Sequence, residues 1–328
     1  MTKRHQKLNT ALMACALACV WSPQALAQAV WPNKPIRLIV PYSPGGFTDL
    51  VARLVAKNVG DRLGQPVTVD NKPGANSIIG VDQVAKSAPD GYTFGFVIAA
   101  YAVNTSLYAK LPYNSAKDIQ AVSLVGKSPL IAAVSVDAPY KTMRELIDQA
   151  RKTPGQITFG SSGNGSATHL SLMQLQSQTK TRLVHIPYKG NAPALTDLLG
   201  GRLNFMFTTP DAFLSMSKAG KLRMIGVASD QRMPVIPDVP TFKELGFGDY
   251  SASTWAGVVA PAGISMSIAN KLADEVAAVL KMPEVKAKLD EIGFVTVGSS
   301  PEEFTKFIAK ETAQWGDVIR VNKISAED

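Results

Sequence analysis

The residues best suited to chemistry are short runs of glycines and hydroxyl side chains at junctions between predicted strands and helices. The first run follows an apolar segment and reads Ser43-Pro44-Gly45-Gly46-Phe47-Thr48-Asp49. Glycines let a backbone approach a ligand closely, and the first turn of a helix carries unpaired N–H groups with partial positive charge. The run predicts an anion site that needs no Lys or Arg. A tight turn with Thr48 as the helix cap is the alternative.

A second run of the same kind lies further along the chain, again between a predicted strand and a predicted helix. It reads Gly160-Ser161-Ser162-Gly163-Asn164-Gly165-Ser166-Ala167-Thr168-His169. Its hydroxyls and backbone amides are suitable partners for a carboxylate. A Gly-Ser connector alone is weak support, but two such loops, one in each half of the chain, favour two jaws around one ligand.

A third junction reads Pro187-Tyr188-Lys189-Gly190. Tyr188 is a candidate for lining the same site, or for packing. Lys189 could pair with a carboxylate, although a solvated lysine is the simpler interpretation.

Other kinds of site find little support. The chain has no Gly-x-Ser-x-Gly motif and no G-x-G-x-x-G fingerprint, and His169 and His185 lack metal-ligand spacing. We therefore expect no catalytic residue, no metal and no cofactor, and a periplasmic hydrolase is only an alternative.

The N-terminus has the three parts of a secretory leader. Lys3, Arg4 and Lys7 precede an apolar run, and Ala25-Leu26-Ala27 has the small-x-small form of a cleavage site. We predict a signal peptide over residues 1–27 and export to the periplasm; a buried helix, or lipidation at Cys15 or Cys19, are alternatives. Both cysteines would leave with the leader, so the mature chain could form no disulfide.

The net charge and the hydropathy of the chain indicate what kinds of molecule it can bind. The formal net charge is +8, and the leader would remove three of the 34 basic residues and none of the 26 acidic ones. The remaining mild excess suits an anionic solute. We see no dense Lys/Arg stripe, so no nucleic-acid partner is expected, and no other segment approaches the ~20 apolar residues of a membrane span.

Alternation of apolar runs predicts two α/β units with parallel strands and right-handed crossovers. Strands are predicted at 36–40, 66–69, 92–98, 157–159, 183–186, 205–207 and 222–228, and helices at 48–63, 78–85, 166–176, 192–199, 268–280, 283–292 and 301–320. Thr241 and Glu244 have capping-box spacing, which predicts a further helix start. Extended crossings near 126–130 and 250–257 would form a hinge between lobe 1 (28–128 and 254–328) and lobe 2 (129–253).

Short motifs in a consistent order carry a family resemblance over nearly the whole mature chain. They are Pro35-Ile36-Arg37-Leu38-Ile39-Val40-Pro41, Pro44-Gly45-Gly46 with Thr48-Asp49, Pro73-Gly74-Ala75, Pro89-Asp90-Gly91-Tyr92-Thr93, Gly163-Asn164-Gly165-Ser166 with Thr168-His169-Leu170, Pro187-Tyr188-Lys189-Gly190, Ala194-Leu195-Thr196-Asp197-Leu198-Leu199-Gly200-Gly201, Ala219-Gly220-Lys221-Leu222-Arg223 and Pro237-Asp238-Val239-Pro240-Thr241. With these motifs the sequence resembles the Bug-type substrate-binding proteins of tripartite tricarboxylate transporters.

The resemblance implies a two-lobed α/β fold of the periplasmic-binding-protein type II, or Venus-flytrap, kind. It implies a monomeric receptor for a carboxylate, with a permease of one large and one small membrane subunit as partner. By position, the jaws would be residues 43–49 and 161–168, with Tyr188 nearby and the loop 99–104, including Ala100, contributing. Such proteins hold the ligand with backbone amides, hydroxyls and waters rather than with an arginine.

Two departures from the family pattern bear on the ligand. Phe47 stands where many relatives have a small residue, so it should narrow the pocket or stack on the ligand. Thr208 stands where many have an acid, which disfavours an amino-acid ligand, although Asp211 keeps that option open. A dicarboxylate, a tricarboxylate, an aromatic acid and an acidic amino acid remain candidates, and a sensing role remains an alternative to transport.

Overall fold

Two β-sheets, each flanked by helices, organise the chain. A computed structural model describes residues 31–326, and from Lys34 onward the chain is a single structural unit. The predicted signal peptide, residues 1–27, lies outside the described residues. Between residues 31 and 326, no helix has both the length and the apolar character that a bilayer span requires.

The described part of the chain contains ten helices and eleven strands. In order they are β1 (Ile36–Val40), α1 (Phe47–Leu63), β2 (Val67–Asn71), α2 (Ile78–Ala85), β3 (Thr93–Ile98), α3 (Ala100–Leu107), β4 (Ile119–Pro129), β5 (Ile131–Ser135), α4 (Met143–Lys152), β6 (Thr158–Ser161), α5 (Ala167–Thr179), β7 (Val184–Pro187), α6 (Asn191–Leu199), β8 (Phe205–Thr208), α7 (Asp211–Lys218), β9 (Leu222–Val227), β10 (Ser253–Pro261), α8 (Met266–Leu280), α9 (Pro283–Glu291), β11 (Val295–Thr296) and α10 (Pro301–Asn322).

Each sheet has three neighbouring parallel strands at one side. Sheet A has the strand order β11-β4-β10-β3-β1-β2, with β1 parallel to both β2 and β3 and with β10 antiparallel to β3 and β4. Sheet B has the order β7-β6-β8-β5-β9, with β6 parallel to both β7 and β8. Parallel strands end at a common edge, so the loops that follow them are brought together.

Two extended crossings connect the sheets side by side. β4 ends in sheet A at Pro129 and β5 begins in sheet B at Ile131, while Ser253 of the returning strand β10 pairs with Pro129. The Leu130 N–H donates to the Ala252 carbonyl at 2.9 Å. The predicted α/β fold with two extended crossings is therefore confirmed.

A separate apolar core supports each sheet. Phe159, Phe205 and Phe207 are fully buried on one face of sheet B. In sheet A, Trp255 packs edge-on against Phe304 of α10, with ring centroids 5.7 Å apart. Each such side chain contributes about 1.5–3 kcal/mol when it is buried, so the loops at the sheet edges project from rigid supports.

Two local predictions differ from the structure. The segment 99–104 is not a loop, because helix α3 begins at Ala100 directly after β3; its alanines are strong helix formers. Thr241 and Glu244 make both reciprocal hydrogen bonds of a capping box, but only a turn follows. Gly246 has a positive φ of 84°, which ends the turn before a helix can propagate.

Candidate functional site

The strand order of sheet A singles out one position for a ligand. β1 lies between β2 and β3. The loop after β1 leads towards β2, on one side, and the loop after β3 leads away on the other side, which leaves a crevice between the two strand ends. In open α/β sheets, ligands bind in the crevice at such a switch point. Residues 41–46 follow β1, and Ala100 lies just beyond the end of β3, so the structure brings these two predicted segments together.

Sheet B repeats this arrangement. β6 lies between β7 and β8, so its switch point is flanked by the loop 162–166 after β6 and by residues 209–211 after β8. Ser162, Gly163, Ser166 and Asp211 are thus placed at one sheet edge. Tyr188 follows β7, one strand further out.

The first loop leaves the N-terminus of α1 open. Gly45 has a φ of +82°, and Gly46 is an extended N-cap residue with no side-chain cap bond. The helix begins at Phe47, so Thr48 is not the cap. Residues 43–46 are exposed, and the N–H groups of the first turn remain available to an acceptor.

Asp49 holds the first loop in shape. Its Oδ2 accepts hydrogen bonds from the Gly45 N–H and from Arg53, both at 2.9 Å, and its Oδ1 accepts one from Asn71 at 2.8 Å. Burial raises the pKa of Asp49, but the bonds from Arg53, Gly45 and Asn71 outweigh it and lower the pKa below its ordinary value. Both oxygens are thus engaged within the loop and its neighbours.

Phe47 is held by a neighbour from a distant part of the chain. It is half-buried, and its ring lies 5.8 Å from that of Phe294, which follows α9. The contact fixes the ring at the start of α1, beside the exposed glycines.

Thr168 organises the second loop. Its Oγ1 accepts a hydrogen bond from the Ser162 N–H at 3.0 Å, and it lies 3.2 Å from Ser162 Oγ and 2.8 Å from Ser166 Oγ. Ser166 also caps α5 by accepting from the His169 N–H. Ser162 and Ser166 are half-buried, so their hydroxyls are fixed in position but still in contact with solvent.

Two stacked histidines, His169 and His185, contact the second loop. This pair was not predicted from the sequence. Their rings are 3.8 Å apart and nearly parallel. Ser161 Oγ lies 2.6 Å from His185 Nε2, and the Gly165 N–H donates to His169 Nδ1 at 3.2 Å. Burial lowers the pKa of His185 to about 4. The pairing depends on the register of β6 and β7, which sets His185 directly opposite Phe159.

The Tyr188 hydroxyl is engaged by a carboxylate of helix α6. The hydroxyl donates to Asp197 Oδ2 at 2.6 Å, and Asp197 also pairs with Arg202. Burial and the Asp197 carboxylate raise the pKa of Tyr188 to about 12. Lys189, beside it, is exposed.

Two polar atoms at the junction of β8 and α7 have no hydrogen-bond partner among the described residues. Thr208 is fully buried, and its Oγ1 makes no hydrogen bond to any described residue. Asp211, in the first turn of α7, has a buried Oδ1 that likewise lacks a partner. Burial raises the pKa of Asp211 above its ordinary value, against hydrogen bonds from Thr209 and from the backbone N–H groups of Asp211 and Ala212. Within residues 31–326, no three His, Cys, Asp or Glu side chains gather as metal ligands would.

Known proteins match this chain over most of its length. The model of the tripartite tricarboxylate transporter family receptor matches residues 51–324. BugT of Bordetella pertussis is 37% identical over 292 residues, which cover 88% of this chain and 90% of BugT.

Two solved structures of relatives with a bound ligand are similar to this chain. An R. palustris protein with adipate is 32% identical, with a TM-score of 0.82 over 90% of this chain and 99% of its own. MatC from Rhodopseudomonas palustris, with bound malate, is 28% identical, with a TM-score of 0.78 over 88% of this chain and 100% of MatC. This chain belongs to the tripartite tricarboxylate transporter receptor family, whose members are periplasmic solute-binding receptors.

Proposed function

We propose that this protein captures a small organic carboxylate between its two lobes and delivers it to a membrane permease made of a large and a small subunit. The observation that carries the proposal is the pair of glycine- and hydroxyl-rich loops, residues 43–49 and 161–168, each at the switch point of its sheet. The adipate and malate bound by two relatives support a carboxylate ligand.

Binding rests on backbone and hydroxyl donors rather than on a cation. The open first turn of α1 supplies N–H groups to a carboxylate oxygen, and Ser162 and Ser166 supply hydroxyls from the opposite lobe. Hydrogen bonds to a charged acceptor are roughly twice as strong as neutral ones, and a helix N-terminus adds about 0.3–1 kcal/mol. A ligand that contacts both loops favours the closed arrangement of the lobes, and the permease recognises that form.

The remaining sequence predictions belong to the same proposal. The leader directs the chain to the periplasm and is removed after Ala27, and the mature protein is a monomer with lobe 1 at 28–128 and 254–328 and lobe 2 at 129–253. The protein is a receptor rather than an enzyme. A Ser–His pair exists at Ser161 and His185, but the Ser161 hydroxyl is already engaged by His185 and by the backbone of Gly163, so it is not free to act as a nucleophile.

A thermal-shift screen tests the proposal. Residues 28–328 are purified, unfolded and refolded to remove any bound solute, and screened against mono-, di- and tricarboxylates, aromatic acids and amino acids. A ligand at ~100 times its dissociation constant adds about 2.7 kcal/mol to the stability. We expect a selective rise in melting temperature with one carboxylate class. No rise with any carboxylate, in protein shown by mass spectrometry to be empty, would refute the carboxylate assignment.

The Gly46→Leu variant tests whether the ligand binds at the start of α1. A Cβ at this position meets only a backbone oxygen at 3.8 Å, and the backbone there is extended, so the variant keeps its fold. Its side chain covers the N–H groups of α1. We expect the ligand-induced shift to disappear in this variant.

A further inference from the structure

Asp211 and Thr208 lie at the position in sheet B that corresponds to the first loop in sheet A. Both follow β8, at the switch point of sheet B, beside the loop 162–166. The first loop lies at the corresponding point of sheet A. A ligand that spans the two switch points therefore has one end at the N-terminus of α1 and the other near the N-terminus of α7.

The two ends differ in hydrogen-bonding character. The first loop offers backbone N–H donors and no charged side chain that is free, because the Asp49 oxygens are engaged. The far end offers acceptors: Asp211 Oδ1 and Thr208 Oγ1 are buried and lack partners among the described residues. A buried acceptor left unpaired costs about 1–3 kcal/mol, so a ligand donor at this point is favoured.

Among residues 31–326, no cation is paired with the Asp211 carboxyl. The groups that act on it are the Thr209 hydroxyl, from the segment between β8 and α7, and the N–H groups of Asp211 and Ala212 in the first turn of α7. A second carboxylate brought to this position would place two acids side by side, and two like charges in a shared site disfavour each other strongly. A hydroxyl or ammonium group meets no such penalty.

We propose that Asp211, assisted by Thr208, is a specificity-determining residue that selects a carboxylate carrying a hydroxyl or ammonium group at its far end and that discriminates against a dicarboxylate. The inference rests on the proposed receptor function and narrows its ligand class. It distinguishes this chain from the relatives solved with adipate and malate, which bind acids with two carboxylates.

Ligands matched in length test the proposal. Isothermal titration calorimetry on the refolded mature protein compares adipate, 6-hydroxyhexanoate, 6-aminohexanoate and hexanoate, and then succinate, 4-hydroxybutanoate, 4-aminobutanoate and butanoate. Within each set only the far group changes. We expect the hydroxy or amino acid to bind at least tenfold more tightly than the dicarboxylate of equal length, a difference of about 1.4 kcal/mol.

Two variants assign the effect to Asp211. Asp211→Asn keeps the size of the side chain and removes its charge, and we expect the preference to fall to threefold or less, mainly through tighter dicarboxylate binding. Asp249→Asn makes the same chemical change at an exposed aspartate of the same lobe, which pairs with Lys243 at the surface, and should leave the preference unchanged. Melting curves confirm that both variants are folded.

The outcomes separate this inference from the receptor function. If a dicarboxylate binds wild-type protein as tightly as its hydroxy and amino counterparts, the inference is overturned while the receptor function stands. The same holds if Asp211→Asn leaves the ratio unchanged. If no acid of either set binds, including the simple monocarboxylates, the inference is overturned, whereas the receptor function is decided by the thermal-shift screen, which also contains tricarboxylates and aromatic acids.

Discussion

Acid should destabilise this protein through one histidine, His185. Its ring lies between Phe159, 4.9 Å away, and His169, 3.8 Å away, and its Nε2 shares a hydrogen bond with the buried Ser161. Burial in these surroundings lowers its pKa to about 4. A proton on His185 would place a charge among stacked rings that support the second ligand loop.

Proton linkage gives the sign and the size of the change in stability with pH. In the unfolded chain His185 takes up a proton near its ordinary pKa of about 6.5, whereas the folded protein resists until about pH 4. The unfolded state therefore binds more protons between these values, and stability falls as the pH drops through this window. Between pH 7.5 and pH 5 the loss is about 2 kcal/mol for a fully shielded ring, and about 1–2 kcal/mol once solvent contact is allowed for.

Urea unfolding of wild type and His185→Asn at the two pH values isolates this contribution. Asparagine keeps a hydrogen-bonding group near Ser161 but does not titrate, and the other ionisable groups are common to both proteins. We expect the free energy of unfolding to fall by about 1–2 kcal/mol more in wild type than in the variant. An equal pH dependence in the two proteins would refute a neutral, partly buried His185 with a lowered pKa.

Three further substitutions test other parts of the site. Gly46→Leu should weaken ligand binding at least tenfold in calorimetry while the melting temperature of the free protein stays within about 2 °C, since a Cβ meets no close neighbour there. Tyr188→Phe loses the bond to Asp197 and should cost about 1 kcal/mol in urea unfolding with affinity unchanged; a large loss of affinity would show that the hydroxyl reaches the ligand. Gly165→Ala should destabilise by about 2–3 kcal/mol, because φ is +68° and the added Cβ would clash with Leu107 Cδ2; wild-type stability would contradict that contact.

Local patterns were enough to predict the elements that carry the site. The apolar run before Pro41 and the glycines after it predicted a buried strand, a turn and a helix, and β1 and α1 follow that order. The two-residue strand β11 could not be predicted, because it is defined by pairing with Lys127 and Gly126 rather than by its own sequence. Helix α3 was taken for a loop because no turn residue marks where β3 ends.

Side-chain roles were harder to predict than their positions. Asp49 was chosen as a ligand contact, yet its oxygens are engaged by Arg53 and Asn71, and Asn71 belongs to a neighbouring strand. The histidine pair depends on the register between β6 and β7, which brings His185 beside Phe159. Such contacts join residues that are distant in sequence, so composition and spacing do not reveal which polar groups remain free for a ligand.

A crystal structure of the mature protein with the carboxylate selected by the thermal-shift screen tests the central claim most directly. We expect a ligand carboxylate oxygen at about 2.7–3.1 Å from backbone N–H groups at the start of α1, with Ser162 or Ser166 completing its hydrogen bonds from the other lobe. A carboxylate bound elsewhere, with both glycine-rich loops free of ligand, would contradict the assignment of the site.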